Sequence, residues 1–238
     1  MFDHLDIAVS DLEASRTFYE LALGAPTAEA EWLEWGDFGI TPVDVTHPLT
    51  QRLHVGFGVE SRDAVDTWWH RMVDAGYRSD GEPGSRPEYN ETYYGAFTLD
   101  PDGNSVEAVH HNQSRTAEID HVWLRTTDLA KTRRLYEAIA PAVGISIGYE
   151  ERGRVGFSDG DGSFTFVQAD EPSRHVHLAF GVSDLDAIAD FHRRALEAGF
   201  IDNGPPGERP EYHPGYFGAF ALDNESNNVE AVLHQRPV

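Results

Sequence analysis

The sequence predicts an α+β protein built from tandem strand–helix–strand–strand–strand modules (βαβββ modules, four in all), on three observations. Residues 54–107 recur at residues 177–230 with a constant offset of 123 and no gap. In each half, short alternating apolar stretches precede patterns with helical periodicity, and further strand-like stretches follow. Turn-forming Gly, Pro and Asp residues separate these stretches. We therefore expect two domains, residues 1–112 and 119–238, with a polar linker at 112–118.

The first module is predicted as a strand, a helix and a strand region broken by Gly. Leu5, Ile7 and Val9 alternate with their neighbours, as in a half-buried strand. Ser10–Glu13 matches the capping box that opens a helix. The 32–45 region then indicates two or three short strands.

The second module begins with the alternating stretch His54–Val59 and continues with a helix whose N-cap is Ser61. A Gly- and Pro-rich stretch at 81–84 indicates a loop. Two strands, 94–99 and 105–110, follow, and the turn signal Asp-Pro-Asp-Gly joins them.

The second half repeats this order of elements. A strand begins at His121, and the helix after it ends near Pro141. Strands punctuated by Gly are expected within 145–168, and a second helix begins at 183–186. Residues 204–207 mirror the Gly- and Pro-rich loop of the first half.

The composition excludes several classes of partner. The net charge is -23, from 41 acidic and 18 basic residues, and such a surface repels nucleic acids and anionic membranes. Cysteine is absent, which excludes disulfides and thiolate ligands. No signal peptide is evident, and no stretch approaches the roughly 20 apolar residues of a membrane span. We expect a cytoplasmic protein with a small-molecule substrate; a homodimer stays an open alternative.

Each half supplies a His on its first strand, a His on its fifth strand and a Glu on its last. The six residues are His4, His54, Glu107, His121, His177 and Glu230. Gly56 and Gly58 share a strand face with His54 and leave room for a cavity. Two imidazoles and a carboxylate can hold one divalent ion with positions left open, and without Cys they suit Fe, Mn, Zn, Ni or Co. Structural histidines are the alternative, but three positions that recur together favour a metal.

Three further kinds of residue lie near this set. Tyr93 and Tyr216 are candidates for a proton donor or a substrate contact, with aromatic core packing as the alternative. The counterpart of His213 in the first half is Asn90, so an acid–base role for His213 would be confined to one site. This difference favours the site that contains Glu230 for turnover. His111 and His234 lie four residues, or about 13 Å, beyond each Glu and are interpreted as strand-end surface groups.

The chain is similar to the vicinal oxygen chelate superfamily, which includes glyoxalases, bleomycin-resistance proteins and extradiol dioxygenases. The motifs that carry the resemblance are His4–Val9 with Phe18–Tyr19, His54–Phe57, Leu99–Asn104 ahead of Glu107, and the ligand positions of the second half. The resemblance implies paired βαβββ modules that form two curled, incompletely closed mixed sheets with the helices outside. It also implies a metal ion held by His, His and Glu.

Departures from the family patterns bear on the reaction. Glyoxalase I-like members use a fourth ligand, usually Glu, where this chain offers only Asp44 or Gln168 as substitutes. Extradiol dioxygenases place a His and then a Tyr ahead of the ligand Glu, and here His213 fits the first place while Phe220 occupies the second. We therefore expect lyase or isomerase chemistry of the glyoxalase type on a small molecule with vicinal oxygens. A ring-cleaving dioxygenase and a non-catalytic protein that binds an antibiotic or a metabolite are the alternatives.

The pairing of the modules stays open at this point. If consecutive modules face each other, the sites are His4/His54/Glu107 and His121/His177/Glu230. If modules are exchanged, the sites are His121/His54/Glu107 and His4/His177/Glu230. The short connectors between modules permit either arrangement.

Overall fold

The computed structural model describes residues 2–111, 118–159 and 162–235, so most of the predicted linker at 112–118 lies outside the described residues. The helices are α1 (Leu12–Leu23), α2 (Arg62–Asp74), α3 (Leu129–Val143) and α4 (Leu185–Ala198). The strands of the first half are β1 (Phe2–Val9), β2 (Ala28–Glu29), β3 (Leu33–Trp35), β4 (Phe38–Pro42), β5 (His54–Gly58), β6 (Ser79–Ser85), β7 (Tyr94–Leu99) and β8 (Ser105–His110). Those of the second half are β9 (Ile119–Thr126), β10 (Ser146–Glu151), β11 (Arg154–Ser158), β12 (Ser163–Gln168), β13 (Val176–Gly181), β14 (Ile201–Glu208), β15 (Tyr216–Leu222) and β16 (Asn228–His234).

The predicted fold class is confirmed, and the modules are exchanged between the halves. One mixed eight-stranded sheet has the order β14-β15-β16-β13-β1-β4-β3-β2, which joins the first and fourth modules. The other has the order β10-β11-β12-β9-β5-β8-β7-β6, which joins the second and third modules. Neither sheet is made from one half of the chain alone. The division of the chain into two domains, 1–112 and 119–238, follows the sequence repeat and stays a prediction.

The antiparallel seam at the centre of each sheet determines which of the predicted site residues meet. β1 pairs with β13, so that Asp6 lies opposite His177. β5 pairs with β9, so that His54 lies opposite Trp123. On its other side, β13 pairs in parallel with β16, which places Glu230 beside Ala179, two residues after His177. In the same way β5 pairs with β8, which places Glu107 beside Gly56, two residues after His54. Each seam therefore collects a His from each of two modules and one Glu.

The helices are set by their caps and by the apolar faces that they bury. The N-cap of α1 is Asp11, whose side chain accepts a hydrogen bond from the Ala14 amide, so the predicted capping box begins one residue too early. Ser61 caps α2 as predicted. The helices and the apolar strand faces opposite the histidines share one core, to which Val55 and Phe57 of β5 contribute.

Two predicted loops, at 81–84 and 204–207, are wrong: both stretches lie in strands, β6 and β14. Each is the outermost strand of its sheet and pairs on one side only. Its pairing with the neighbouring strand shifts register twice, at positions that include Gly81 and Gly204. Edge strands tolerate Pro and bulges because one row of backbone groups needs no strand partner. A Gly- and Pro-rich composition was therefore a misleading signal for a loop here.

The turn ahead of each Glu keeps its structure although its sequence changes. In the first half, Asp100 accepts hydrogen bonds from the backbone and side chain of Asn104 and from the Tyr19 hydroxyl at 3.0 Å. In the second half, Asp223 accepts the same hydrogen bonds from Asn227 and from Tyr136 at 3.0 Å. The buried carboxylate, rather than the Pro-Asp-Gly sequence, holds this turn.

No helix within residues 2–111, 118–159 and 162–235 combines the length and apolar character needed to span a bilayer.

Candidate metal centres

Site 1 consists of His54, Glu107 and His121, whose side chains converge from β5, β8 and β9. The His54 Nε2 and His121 Nε2 atoms are 3.1 Å apart. Each lies 3.2 Å from the same carboxylate oxygen, Oε2 of Glu107. The Glu107 side chain is fully buried, and that of His121 is 7% exposed. The three donor atoms thus form a nearly equilateral triangle.

Site 2 consists of His4, His177 and Glu230, from β1, β13 and β16. The two Nε2 atoms are 3.1 Å apart, and His177 Nε2 lies 3.1 Å from Glu230 Oε2. His4 Nε2 is farther from that oxygen, at 3.7 Å. Asp6 adds a second carboxylate, whose Oδ2 lies 3.8 Å from His4 Nε2. Asp6 was not predicted, although its place two residues after His4 on an alternating strand puts both side chains on one face.

The donor atoms of site 1 fit a divalent ion. Ligand atoms set at right angles around an ion, at bond lengths of about 2.1–2.2 Å, stand about 3.0–3.1 Å apart. The three separations in site 1 are 3.1, 3.2 and 3.2 Å. Two imidazoles and one carboxylate that occupy one triangular face are the donor set of sites with open positions. Site 2 has a less regular triangle and a fourth candidate ligand.

Glycine leaves room for the ligands of site 1. A Cβ atom at Gly56, next to His121 across the seam, would overlap the His121 ring. A Cβ atom at Gly95 would overlap the Glu107 carboxylate. The Gly-lined face that the sequence predicts for the cavity therefore serves to admit the ligand side chains themselves.

A carboxylate, buried in site 1 and one quarter exposed in site 2, holds the far nitrogen of one histidine in each site. His121 Nδ1 lies 2.8 Å from Asp120 Oδ1, and His4 Nδ1 lies 2.9 Å from Asp3 Oδ1. The other oxygen of Asp120, Oδ2, is 2.5 Å from His111 Nε2. In site 2, Asp3 Oδ1 is also 3.0 Å from Nε2 of His234, the counterpart of His111. Carboxylates in this position fix the tautomer that leaves Nε2 free for a metal.

The interpretation of His111 as a strand-end surface group is wrong. Its side chain is 8% exposed and is bound to Asp120. His234 is more exposed, at 32%, and contacts Asp3. Both histidines repeat at the same offset as the Glu residues, and an Asp precedes the strand-opening His in each half. That double repeat was the signal available in the sequence.

The histidines and the acidic residues shift each other's pKa values. Burial disfavours charge on His121, but hydrogen bonds to Asp120 and Glu107 outweigh it and raise its pKa to about 9. For His4, burial is outweighed by the hydrogen bond to Asp3 and by the charges of nearby carboxylates, and its pKa also rises to about 9. Burial lowers the pKa of His54 despite its contact with Glu107. Burial alone would raise the pKa of Glu107, but its hydrogen bonds to the two histidines outweigh burial and lower that pKa.

The two predicted tyrosines lie against the ligand carboxylates. The Tyr93 hydroxyl donates a 2.8 Å hydrogen bond to Glu107 Oε1, and the Tyr216 hydroxyl donates a 2.8 Å hydrogen bond to Glu230 Oε1. Burial and the adjacent carboxylate charge raise the pKa of both phenols. Each phenol is therefore held protonated and orients its carboxylate so that the other oxygen faces the histidines.

His213 does not contact the ligand atoms. Its Nε2 lies 2.9 Å from Nδ1 of His234, on which its ring stacks at 5.1 Å. His234 in turn contacts Asp3, which contacts His4. The acid–base role of His213 stays a prediction, and the contacts that join it to site 2 run through His234 and Asp3.

Asp44 and Gln168, the two suggested substitutes for a fourth ligand, are bound elsewhere. Asp44 accepts hydrogen bonds from the backbone amides of Thr46 and His47. Gln168 accepts a hydrogen bond from the Leu129 amide at the start of α3. Their side chains close local turns and helix ends.

Residues 1–108 match the family model described as the Glyoxalase/Bleomycin resistance protein/Dioxygenase superfamily. The matched segment covers a little under half of the chain, and its order of elements recurs in the second half. No curated protein gives a significant sequence match.

Solved structures share the fold at low sequence identity. Glyoxalase I from Zea mays is 16% identical over 98% of this chain and 92% of its own, with a TM-score of 0.71. A mutant form of the same maize enzyme gives 17% identity over 98% of this chain and 93% of its own, with a TM-score of 0.73. A putative dioxygenase from Bacillus subtilis is 14% identical over 99% of this chain and 85% of its own, with a TM-score of 0.70. At these identities the likeness establishes the fold alone.

Proposed function

We propose that the protein is a divalent-metal-dependent enzyme with lyase or isomerase chemistry on a small molecule that carries two neighbouring oxygens. The observation that carries the proposal is the triangle of donor atoms in site 1, with separations of 3.1–3.2 Å around a fully buried carboxylate. A buried carboxylate loses its hydration and needs a cationic partner, and the ion would take the place of the His121 proton that fills this role in the metal-free protein. The ion is Fe, Mn, Zn, Ni or Co in the divalent state.

In site 1, His54, Glu107 and His121 would hold the ion, which would supply Lewis-acid stabilisation of the negative charge on the two substrate oxygens when a carbon-bound proton is lost to solvent. Ser105 accepts a hydrogen bond from His54 Nδ1 and donates one to Asp80, so that Nε2 of His54 carries the free lone pair. Asp120 does the same for His121. The chain thus presents two oriented imidazoles before a ligand arrives.

Tyr93 would hold a proton at the edge of the same site. Its hydroxyl lies 3.4 Å from His121 Nε2 as well as 2.8 Å from Glu107 Oε1, so it borders the position of an ion. Its raised pKa keeps the hydroxyl as a hydrogen-bond donor. Because that proton is donated to Glu107, a substrate hydroxyl at this edge would donate to the Tyr93 oxygen, which is the substrate contact predicted for Tyr93.

We assign turnover to site 1 rather than site 2. The sequence, through His213, favoured the site that contains Glu230. Site 1 has the more regular donor triangle, whereas in site 2 Asp6 adds a second carboxylate near the histidines. A fourth protein ligand leaves fewer positions for substrate.

The proposal is tested with protein that has been stripped by a chelator and reloaded separately with each of the five ions. Each form is incubated in D₂O with small α-hydroxycarbonyl compounds, and exchange of carbon-bound hydrogen is followed by NMR. We expect exchange with at least one loaded form and none with stripped protein, because an enolate needs the ion. If the protein retains no measurable metal after treatment with any of the five ions, the proposal is overturned.

Two other outcomes would replace it. Oxygen consumption by the Fe(II) form with a catechol, without hydrogen exchange, would assign ring cleavage instead. A metabolite or antibiotic bound with equal affinity by stripped and loaded protein would assign sequestration.

Asp120→Asn is expected to weaken metal binding at site 1 about 10- to 100-fold without unfolding the protein. The amide can no longer accept from both His121 and His111 as a carboxylate does, so the His121 ring loses its fixed tautomer. Competition with a chelating dye above pH 9, where His121 is deprotonated in both proteins, measures the affinity, and circular dichroism checks the fold. Asp3→Asn, the equivalent change beside His4, serves as the control and should weaken site 2 only. An unchanged affinity at site 1 in folded Asp120→Asn protein would contradict the role given to Asp120.

A further inference from the structure

The two sites differ most at one pair of equivalent positions. His4 aligns with His121 at an offset of 117, and at the same offset Asp6 aligns with Trp123. The sheet register confirms the equivalence, because Asp6 lies opposite His177 and Trp123 lies opposite His54. One site therefore has a carboxylate where the other has an indole.

Trp123 is part of an aromatic wall beside site 1. Its ring centroid lies 6.1 Å from that of His54 and 6.5 Å from that of His121. Tyr89 packs edge-on against Trp123 at 5.3 Å and against Tyr93 at 5.3 Å. We define the aromatic wall as Tyr89, Trp123 and Tyr149, together with the Arg154 guanidinium that lies 5.8 Å from the Trp123 and Tyr149 rings.

The aromatic wall is accessible and close to neutral. Tyr89 is 43% exposed and Tyr149 is 36% exposed, so their rings do not belong to the closed core. Arg154 is bound to the Glu151 carboxylate, which offsets its charge. The protein as a whole carries a net charge of -23. A charged anion would therefore gain little here, whereas an uncharged ring would gain contact with exposed aromatic faces.

Site 2 lacks this surface. Tyr212, the counterpart of Tyr89, packs on Tyr216 at 4.9 Å, but the position of the indole is taken by Asp6. The Asp6 carboxylate lies among the histidines instead of presenting an apolar face. A ring that enters site 2 would meet a solvated charge and lose part of its stacking partner.

Given the metal site of the proposed function, we propose that site 1 selects an uncharged aromatic compound with two neighbouring oxygens, and that site 2 does not. The ring stacks on the aromatic wall through Trp123 and Tyr89, and the two oxygens point to the ion held by His54, Glu107 and His121. Trp123 is thus a specificity-determining residue of site 1.

The test uses two probes that chelate through the same pair of oxygens and differ in the ring alone, benzohydroxamic acid and acetohydroxamic acid. Binding of each to Zn(II)-loaded protein is measured by calorimetry. We expect one site per chain to bind the aromatic probe about ten-fold or more tightly than the aliphatic one. Trp123→Leu should remove this preference while the metal content and the affinity for acetohydroxamic acid stay unchanged.

Tyr89→Ala, a change at an exposed loop residue, provides a second variant and should reduce the preference in part. Tyr212→Ala, its counterpart at site 2, should leave the preference intact. If the metal content is two ions per chain but both probes bind equally, the aromatic selection is overturned and the proposed function stands. If no metal is retained, the proposed function itself fails. A preference that survives in folded Trp123→Leu protein would show that the ring is bound elsewhere.

Discussion

Glu107→Gln is expected to remove the ion from site 1 and abolish hydrogen exchange, with the metal content falling from two ions per chain to one. The change is nearly isosteric, and the remaining oxygen can still accept the Tyr93 hydrogen bond. The side-chain nitrogen, however, would face His54 and His121 with a donor where an anionic ligand is needed. Loss of a direct ligand should exceed the roughly 100-fold effect of losing a residue that only orients a ligand.

Elemental analysis of the variant and its exchange rate in D₂O measure this result. Glu230→Gln is the matched control, because Glu230 has the same place in site 2 and the same hydrogen bond from a tyrosine. It should also lower the metal content by one ion but keep the exchange activity. If the two variants exchange roles, so that Glu230→Gln alone is inactive, turnover belongs to site 2. If Glu107→Gln retains two ions, Glu107 is not a ligand.

The grouping of two His and one Glu in each candidate site could be predicted from the sequence because these residues recur in register with strands whose alternation is regular. His54, Gly56 and Phe57 lie on the faces that alternation assigns to them, and the core takes the apolar face. The pairing of modules could not be predicted. The same ligand types meet in the consecutive and the exchanged arrangement, and the connectors reach in both. Only the register between β5 and β9, and between β1 and β13, distinguishes them.

The carboxylates of Asp120 and Asp3, which hold His121 and His4, were missed for a physical reason. In a regular strand, Asp120 and His121 would point to opposite faces. The β5–β9 pairing shifts register between Gly56 and Phe57, where one step on β5 matches two on β9, and Asp120 is the extra residue. The same irregularity places Asp3 before His4 in the pairing of β1 with β13. A bulge of this kind turns adjacent side chains toward one side, and its position is decided by the partner strand.

Metal binding at site 1 is expected to strengthen with pH, by about one unit in log affinity per pH unit between pH 6.5 and 9, and then to level off. The slope comes from His121, whose pKa in the metal-free protein is raised to about 9, so that an ion must displace its proton. The lowered pKa values of His54 and Glu107 mean that these two ligands give up no proton in this range. The Glu230→Gln variant isolates site 1 for the measurement, which is a chelator competition at a series of pH values.

The proton on His121 also makes the stability of the metal-free protein depend on pH, in the direction opposite to metal binding. A histidine whose pKa is raised by folding, here from 6.5 to about 9, contributes stability that is complete below pH 6.5 and is lost as the pH rises through 9. Metal-free protein should therefore lose this contribution between pH 6.5 and 9 in urea unfolding, whereas metal-loaded protein should not, because the ion replaces the proton as the partner of Glu107. Asp120→Asn removes the main group that raises the pKa of His121, so its binding curve should level off at a lower pH. An affinity that stays constant from pH 6.5 to 9 would mean that the ion does not take the place of the His121 proton, and the assignment of His121 as a ligand would then fail.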